Sequence, residues 1–145
     1  MLLAGNIALM GHYISNLRDI QFNLFDLLGR GEVLEKGPFA EIDRDTANGM
    51  LDEVKRMAEN DLADSFVEGD RLGVDFNPAT GDAKLPESFK KSYRAYMDGE
   101  WWRIDAPAEL GGTVIPPSLR WAIAEMVLGS NPSIHIYASG TAFAH

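Results

Sequence analysis

The sequence predicts an all-α domain, a helical bundle of about five helices joined by irregular loops. Three observations carry that prediction. Apolar residues recur at intervals of three and four in stretch after stretch, the pattern of a helix with one buried face. Residues that cap or stop helices stand at the ends of those stretches. Alternation of apolar and polar residues, the mark of a strand, is confined to one short segment, and there is no internal repeat or low-complexity tract.

The elements follow in order. In "SNLRDIQFNLFDLLGRG", Ser15 or Asn16 is placed to cap a helix whose stripe is Leu17, Ile20, Leu24, Leu27 and Leu28. Gly29 and Gly31 are placed to end it. Phe22 and Phe25 lie partly off the stripe and widen the apolar surface. After the loop "GRGEVLEKGPFAEID", Asp43 or Asp45 caps a second helix, with Leu51, Val54, Ala58, Leu62 and Phe66 on its buried side and Asp52, Glu53, Lys55, Arg56 and Glu59 outside. In "VDFNPATGDAKLP", Val74 and Phe76 alternate with polar residues and the turn chemistry of Asn77 to Gly81 follows, which reads as a short irregular hairpin. Pro86 at a first helical position opens a third helix with Phe89, Tyr93, Tyr96 and Met97 inside and Gly99 after it. A fourth runs through "SLRWAIAEMVLG" to a stop at Gly129. The fifth is capped by Asn131 ahead of Pro132.

That last helix raises a question. From Ile134 to Phe143 it carries no formal charge, so the expectation is a piece of buried structure cut loose from its covering. The opening "MLLAGNIALM" is apolar without a basic leader region or a clear cleavage site. Residues 1–9 are expected to be an upstream start or appended residues, with Met10 as the natural beginning.

Composition bounds the partners. The 145 residues, 46% hydrophobic and 24% charged, suit one globular domain with a real core. A net charge of −9 repels phosphate backbones and anionic membrane surfaces. The absence of cysteine excludes thiol chemistry, disulfides and cysteine metal sites, and suits a cytoplasmic location. No apolar run approaches the ~20 residues that a membrane helix requires.

Several motifs fail in informative ways. Gly29 and Gly31 begin like a dinucleotide fingerprint, but Leu34 holds the third glycine position and a helix, not a strand, precedes it. "DRDTANGM" resembles a calcium loop, yet counting twelve from Asp43 reaches Val54 where a bidentate glutamate is needed. His12, His135 and His145 show no metal-ligand spacing. A buried, hydrogen-bonded imidazole is the better reading of His135. Lys90, Lys91 and Arg94 read as a solvated helix face rather than a phosphate site. Residue chemistry alone describes a helical domain with no assembled catalytic or metal site.

A resemblance adds what chemistry alone does not. The stretch "WWRIDAPAELGGTVIPPSLRWAIAEMVLGSNPSIHIYASG", with Pro107, Glu109, Gly111 and Gly112 leading into a helix, resembles the N-terminal helical domain of the acyl-CoA dehydrogenases. The glycine pair permits backbone conformations closed to other residues and turns the chain into that helix. "HYISNLRDIQFNLFDLL" is similar to the extra N-terminal segment of a longer bacterial subgroup, and "LPESFKKSYRAYMDGEWW" fits the helix that follows. The resemblance implies an extension over residues 10–43 and the helical domain over 44–145, truncated before a flavin-contacting β domain.

It also implies a chemistry for the complete enzyme. There FAD accepts a hydride from the β-carbon of a fatty acyl-CoA while a carboxylate takes the α-proton. The remaining dehydrogenase domains would be partners, usually in a homo-oligomer. For this chain it implies no catalytic, cofactor-binding or metal residue, and no activity alone. Leu128, Ile134, Tyr137, Ala138 and Gly140 on the last two helices are the candidates for the wall of the acyl-chain slot; the plainer reading is that each packs helix on helix. The alternative function is a free-standing helical partner-binding module or one subunit of a split dehydrogenase. Intact caps, turns and core patterns argue against a degenerate relic.

Overall fold

Short polar side chains fix where three of these helices begin, and buried donors accompany one change of pitch. The computed structural model describes residues 11–139, so the expected start at Met10 and the candidate Gly140 lie outside them. Among the described residues there are six α-helices and one hairpin: α1 (Leu17–Gln21), α2 (Arg44–Met57), α3 (Phe66–Leu72), β1 (Asp75–Asn77), β2 (Asp82–Lys84), α4 (Glu87–Asp98), α5 (Pro117–Ser130) and α6 (Pro132–Ala138). The all-α architecture is as the sequence predicts.

Asn16 caps α1, its side chain accepting the Asp19 N–H at 3.4 Å. The expected stripe is then kept only halfway. From Phe22 to Leu27 the chain winds as a π-helical turn, with the Leu28 N–H donating to the Asn23 carbonyl at 3.0 Å. A wider turn rotates each residue through a smaller angle. Ile20, Leu24 and Phe25 therefore face the core, whereas Leu27 and Leu28 face solvent. The Arg44 guanidinium lies 3.6 Å from the Phe25 ring centroid and covers it.

Asp43 caps α2 by accepting the Thr46 N–H at 2.6 Å. The stripe Leu51, Val54, Ala58 and Leu62 is fully buried as expected. The helix expected to reach Phe66 is nevertheless interrupted by a π turn at Ala58–Leu62 and a 3₁₀ turn at Ala63–Ser65 before α3. Buried side chains accompany the break. The Ser92 hydroxyl donates to the Asp61 carbonyl at 2.6 Å, and the Asn131 amide donates to the Leu62 carbonyl at 3.1 Å. Carbonyls released from the helical ladder thus find partners.

The hairpin pairs Phe76 with Ala83 in an antiparallel register and is exposed throughout. Pro86 precedes α4 as its cap residue instead of occupying the first turn. Phe89, Ser92 and Tyr96 form the buried face of α4.

The turn into α5 needs its glycines. Gly111 has φ +80°, and a Cβ on Gly112 would sit 1.7 Å from the Ala106 carbonyl oxygen. Gly129 does not stop α5; the helix runs to Ser130. Its role is contact, because a Cβ there would come within 2.5 Å of the Tyr13 ring. Tyr13 belongs to a strap across the bundle. The Ser15 N–H donates to the Glu59 carboxylate at 2.8 Å, while His12 Nε2–H donates to the Ser130 carbonyl at 2.8 Å and stacks on Phe66 at 4.4 Å.

One core joins α1, α2, α4, α5 and α6, with Leu51, Leu62, Ile123, Met126 and Ile134 wholly enclosed. No helix among the described residues is long and apolar enough to cross a membrane.

Candidate functional site

The last two helices are held at a fixed angle by one buried side chain. Asn131, in extended backbone between α5 and α6, accepts the Ile134 N–H at 3.3 Å as the α6 cap. Its amide donates to the Leu62 carbonyl and to Ser65 Oγ at 3.0 Å. This joint pins Ile134 into the core and turns Ile136 and Tyr137 outward.

Open clefts flank α6 as a result. One of about 380 Å³ lies between α5, α6 and the inner face of α4. Ile123, Ala124 and Val127 form its floor, Trp121 and Ile136 its rim, and Tyr96, Asp105, Arg120 and His135 its polar end. Arg120 Nε donates to the mostly buried Asp105 carboxylate at 2.5 Å, so the two charges cancel within the wall. Burial holds the His135 pKa below its ordinary value; Asp105 opposes that shift and Arg120 adds to it. The imidazole is therefore neutral at pH 7. Burial, with Asp105 second and Arg120 opposing, raises the Tyr96 phenol well above its usual range. Its hydroxyl makes no hydrogen bond to the described residues. Such a cleft can hold an apolar body beside neutral hydrogen-bonding groups.

A second cleft of about 490 Å³ lies on the other side of α6, against α3 and the start of α4. Phe66, Phe89, Ile136 and Tyr137 supply its apolar lining. The Tyr137 ring is held edge-on by Phe89 at 5.6 Å and Tyr93 at 5.4 Å.

No protein-family model matches the chain. Two curated relatives do. The broad-specificity linear acyl-CoA dehydrogenase FadE5 of Mycobacterium tuberculosis is 47% identical over 135 residues, covering 93% of this chain. The 3-methylmercaptopropionyl-CoA dehydrogenase of Ruegeria pomeroyi is 30% identical over 121 residues, covering 83% of it. The chain belongs to the acyl-CoA dehydrogenase family. It spans 22% and 20% of the lengths of those two relatives.

Within this dehydrogenase segment the candidate wall residues scatter. Tyr137 borders the second cleft. Ile134 and Ala138 are buried in the core on the opposite side of α6, and Leu128 sits on the outer side of α5 away from both clefts. Gly140 lies outside the described residues. Sequence reasoning missed Trp121, Arg120, Asp105, Tyr96 and Ile136, which do converge. One signal was available, a lone arginine that is the single charge in the first half of α5. Its partner Asp105 stands fifteen residues earlier, across the Gly111–Gly112 turn, where no periodicity links them.

The pyrophosphate of the FAD implied by the family does not fit the two clefts beside α6. A dinucleotide's pyrophosphate needs free cations or converging backbone N–H groups. Arg120, the cationic side chain of the first cleft, is already paired with Asp105, and no lysine or arginine lines the second. The second cleft carries an acidic residue, Asp70.

Proposed function

We propose that this chain is the N-terminal helical part of an FAD-dependent acyl-CoA dehydrogenase of fatty acid β-oxidation. In the whole enzyme a fatty acyl-CoA would be oxidised between its α- and β-carbons, with the flavin supplying the hydride acceptor. The chain's own contribution would be apolar wall, and alone it would be inactive. The cytoplasm and a homo-oligomeric assembly complete the reading.

The observation that carries this is the apolar, charge-compensated cleft beside α6 in a chain that is 47% identical to a linear acyl-CoA dehydrogenase. Burying each methylene of a fatty chain against such a surface is worth ~0.8 kcal/mol. Both relatives carry an acyl-CoA in their names, which supports that substrate class. Tyr137, on the second cleft, is the strongest of the five sequence candidates. Ile134 and Ala138 would act by holding α6 in place.

The test is isolation of the native assembly from its own cells under non-denaturing conditions. Expected is a particle much heavier than 16.0 kDa that carries FAD, whose flavin absorbance falls when a fatty acyl-CoA is added. A flavin-free species at that mass, or a small multiple of it, overturns the proposal. That outcome would favour the second reading, a free-standing helical partner-binding module. The exposed Trp121, Ile136 and Tyr137 give that reading its support.

A further inference from the structure

The first cleft contains two chemistries, and a plain fatty chain matches only one of them. Its floor of Ile123, Ala124 and Val127 offers apolar contact, but its other end carries Tyr96, His135 and the Arg120–Asp105 pair. Arg120 and Asp105 satisfy each other. Tyr96 has no such partner. The residue is only 4% exposed, yet its hydroxyl bonds to none of the described residues and is open to the cleft instead of being sealed in the core. A buried tyrosine hydroxyl ordinarily finds a partner, because an unmade hydrogen bond leaves its desolvation uncompensated. Burial, with Asp105 adding to it and Arg120 opposing, raises the phenol's pKa, so at pH 7 the group is a protonated donor. His135 lines the same end, neutral at that pH because burial lowers its pKa. A neutral imidazole offers one donor and one acceptor nitrogen.

We infer that the first cleft selects an acyl chain that carries a neutral oxygen, a hydroxyl group, beyond its β-carbon, and that Tyr96 and His135 are the residues that read it. The substrate oxygen accepts the Tyr96 O–H, its own proton is offered to the imidazole, and the hydrocarbon lies along Ile123, Ala124 and Val127. A carboxylate at the same place fits poorly. It would meet the Asp105 carboxylate at an end whose arginine is already neutralised. An unsubstituted chain can still enter with a water left on Tyr96, so the selection is one of degree. One net hydrogen bond corresponds to a preference of about 5–10-fold. The inference rests on the function proposed above and deepens it, because it names the substrate class that the polar end of the cleft prefers.

The test is kcat/KM of the native, flavin-bearing assembly on acyl-CoAs of one length: the plain chain, a series with the hydroxyl at successive carbons beyond the β-carbon, and the chain ending in a carboxylate. The expected result is that at least one hydroxylated chain is used about 5–10-fold better than the plain one, and that the carboxylate is used worse than both. Tyr96→Phe, made in the same cells, should bring the hydroxylated-to-plain ratio to about one. The ratio is the readout because a merely structural loss lowers both rates together. His135→Leu should reduce the same ratio. If neither variant assembles, the unmodified protein's series decides. Oxidation of the plain chain with no preference for any hydroxylated isomer overturns the inference and leaves the proposed function standing. A preference that survives Tyr96→Phe, or a carboxylate used as well as the hydroxyl, does the same. A native species that carries no flavin and oxidises none of the acyl-CoAs overturns both.

Discussion

Asn131→Ala isolates the joint that sets the angle of α6. The side chain is 2% exposed and makes three hydrogen bonds to two different parts of the fold. Removing the cap on the Ile134 N–H costs about 1 kcal/mol. Losing the donations to the Leu62 carbonyl and Ser65 Oγ costs about 1 kcal/mol each, because both acceptors stay buried. The sum is about 3 kcal/mol, a large share of the stability of a single domain. For a chain of this size that corresponds to a fall in Tm of about 6–12 °C. Urea titration followed by circular dichroism measures it, at several protein concentrations to separate folding from association. Asn131→Ser divides the total. It keeps a capping oxygen and lacks the amide, so it should recover about 1 kcal/mol of the loss. A loss below about 1 kcal/mol for Asn131→Ala would refute the reasoning, since the cap alone accounts for that much. Equal losses for both variants would show that the cap contributes nothing.

Other consequences follow from the same geometry. Gly112→Ala sets a methyl against the Ala106 carbonyl oxygen and should cost more than about 3 kcal/mol, with lost or aggregated protein on expression. Gly111→Ala strains a left-handed residue alone and should cost only about 1–2 kcal/mol. Arg120→Met leaves the Asp105 carboxylate without its partner in a mostly buried position; because the arginine is partly exposed, a loss of about 1–3 kcal/mol is expected, and urea denaturation gives the value. His135 has a folded-state pKa below its unfolded one. The unfolded chain therefore binds more protons, and stability must rise with pH through the region just below the ordinary histidine value of 6.5. Thermal melts from pH 5 to 8 should show that slope, and His135→Gln should flatten it. An unchanged slope would place its origin elsewhere.

Much of the fold was legible because its rules are local. Asn16, Asp43 and Asn131 cap the helices that their sequence positions announce. The stripe from Leu51 to Leu62 is buried as its spacing requires, and the hairpin forms around the turn at Asn77–Gly81. Two of the three errors share one cause, a distant partner. Leu27 and Leu28 leave the core because a π turn changes the angle per residue. The helix expected to reach Phe66 breaks where Ser92 and Asn131 bond carbonyls 31 and 69 residues away in sequence. Gly129 lies inside a helix because Tyr13 needs the space. Periodicity is computed along the chain and contains none of these.

The candidate site illustrates the same limit more sharply. On α6, apolar residues occur on all sides, so the sequence gives no phase with which to separate inward from outward positions. Ile134, Tyr137 and Ala138 looked equivalent. The phase is set by Asn131, whose amide must reach the Leu62 carbonyl and Ser65 Oγ, and that one constraint sends Ile134 and Ala138 inward while Ile136 and Tyr137 turn out. A three-residue register on a seven-residue helix thus decides which side chains are available to anything beyond this fold. If the joint is loosened by Asn131→Ala, the outward pair should lose its fixed direction along with stability. The variant's Tyr137 should then show weaker ring contacts with Phe89 and Tyr93 in nuclear Overhauser spectra, even under conditions where the core remains folded. Retention of those contacts at full strength would mean that the aromatic cluster, and not the asparagine, sets the phase of α6.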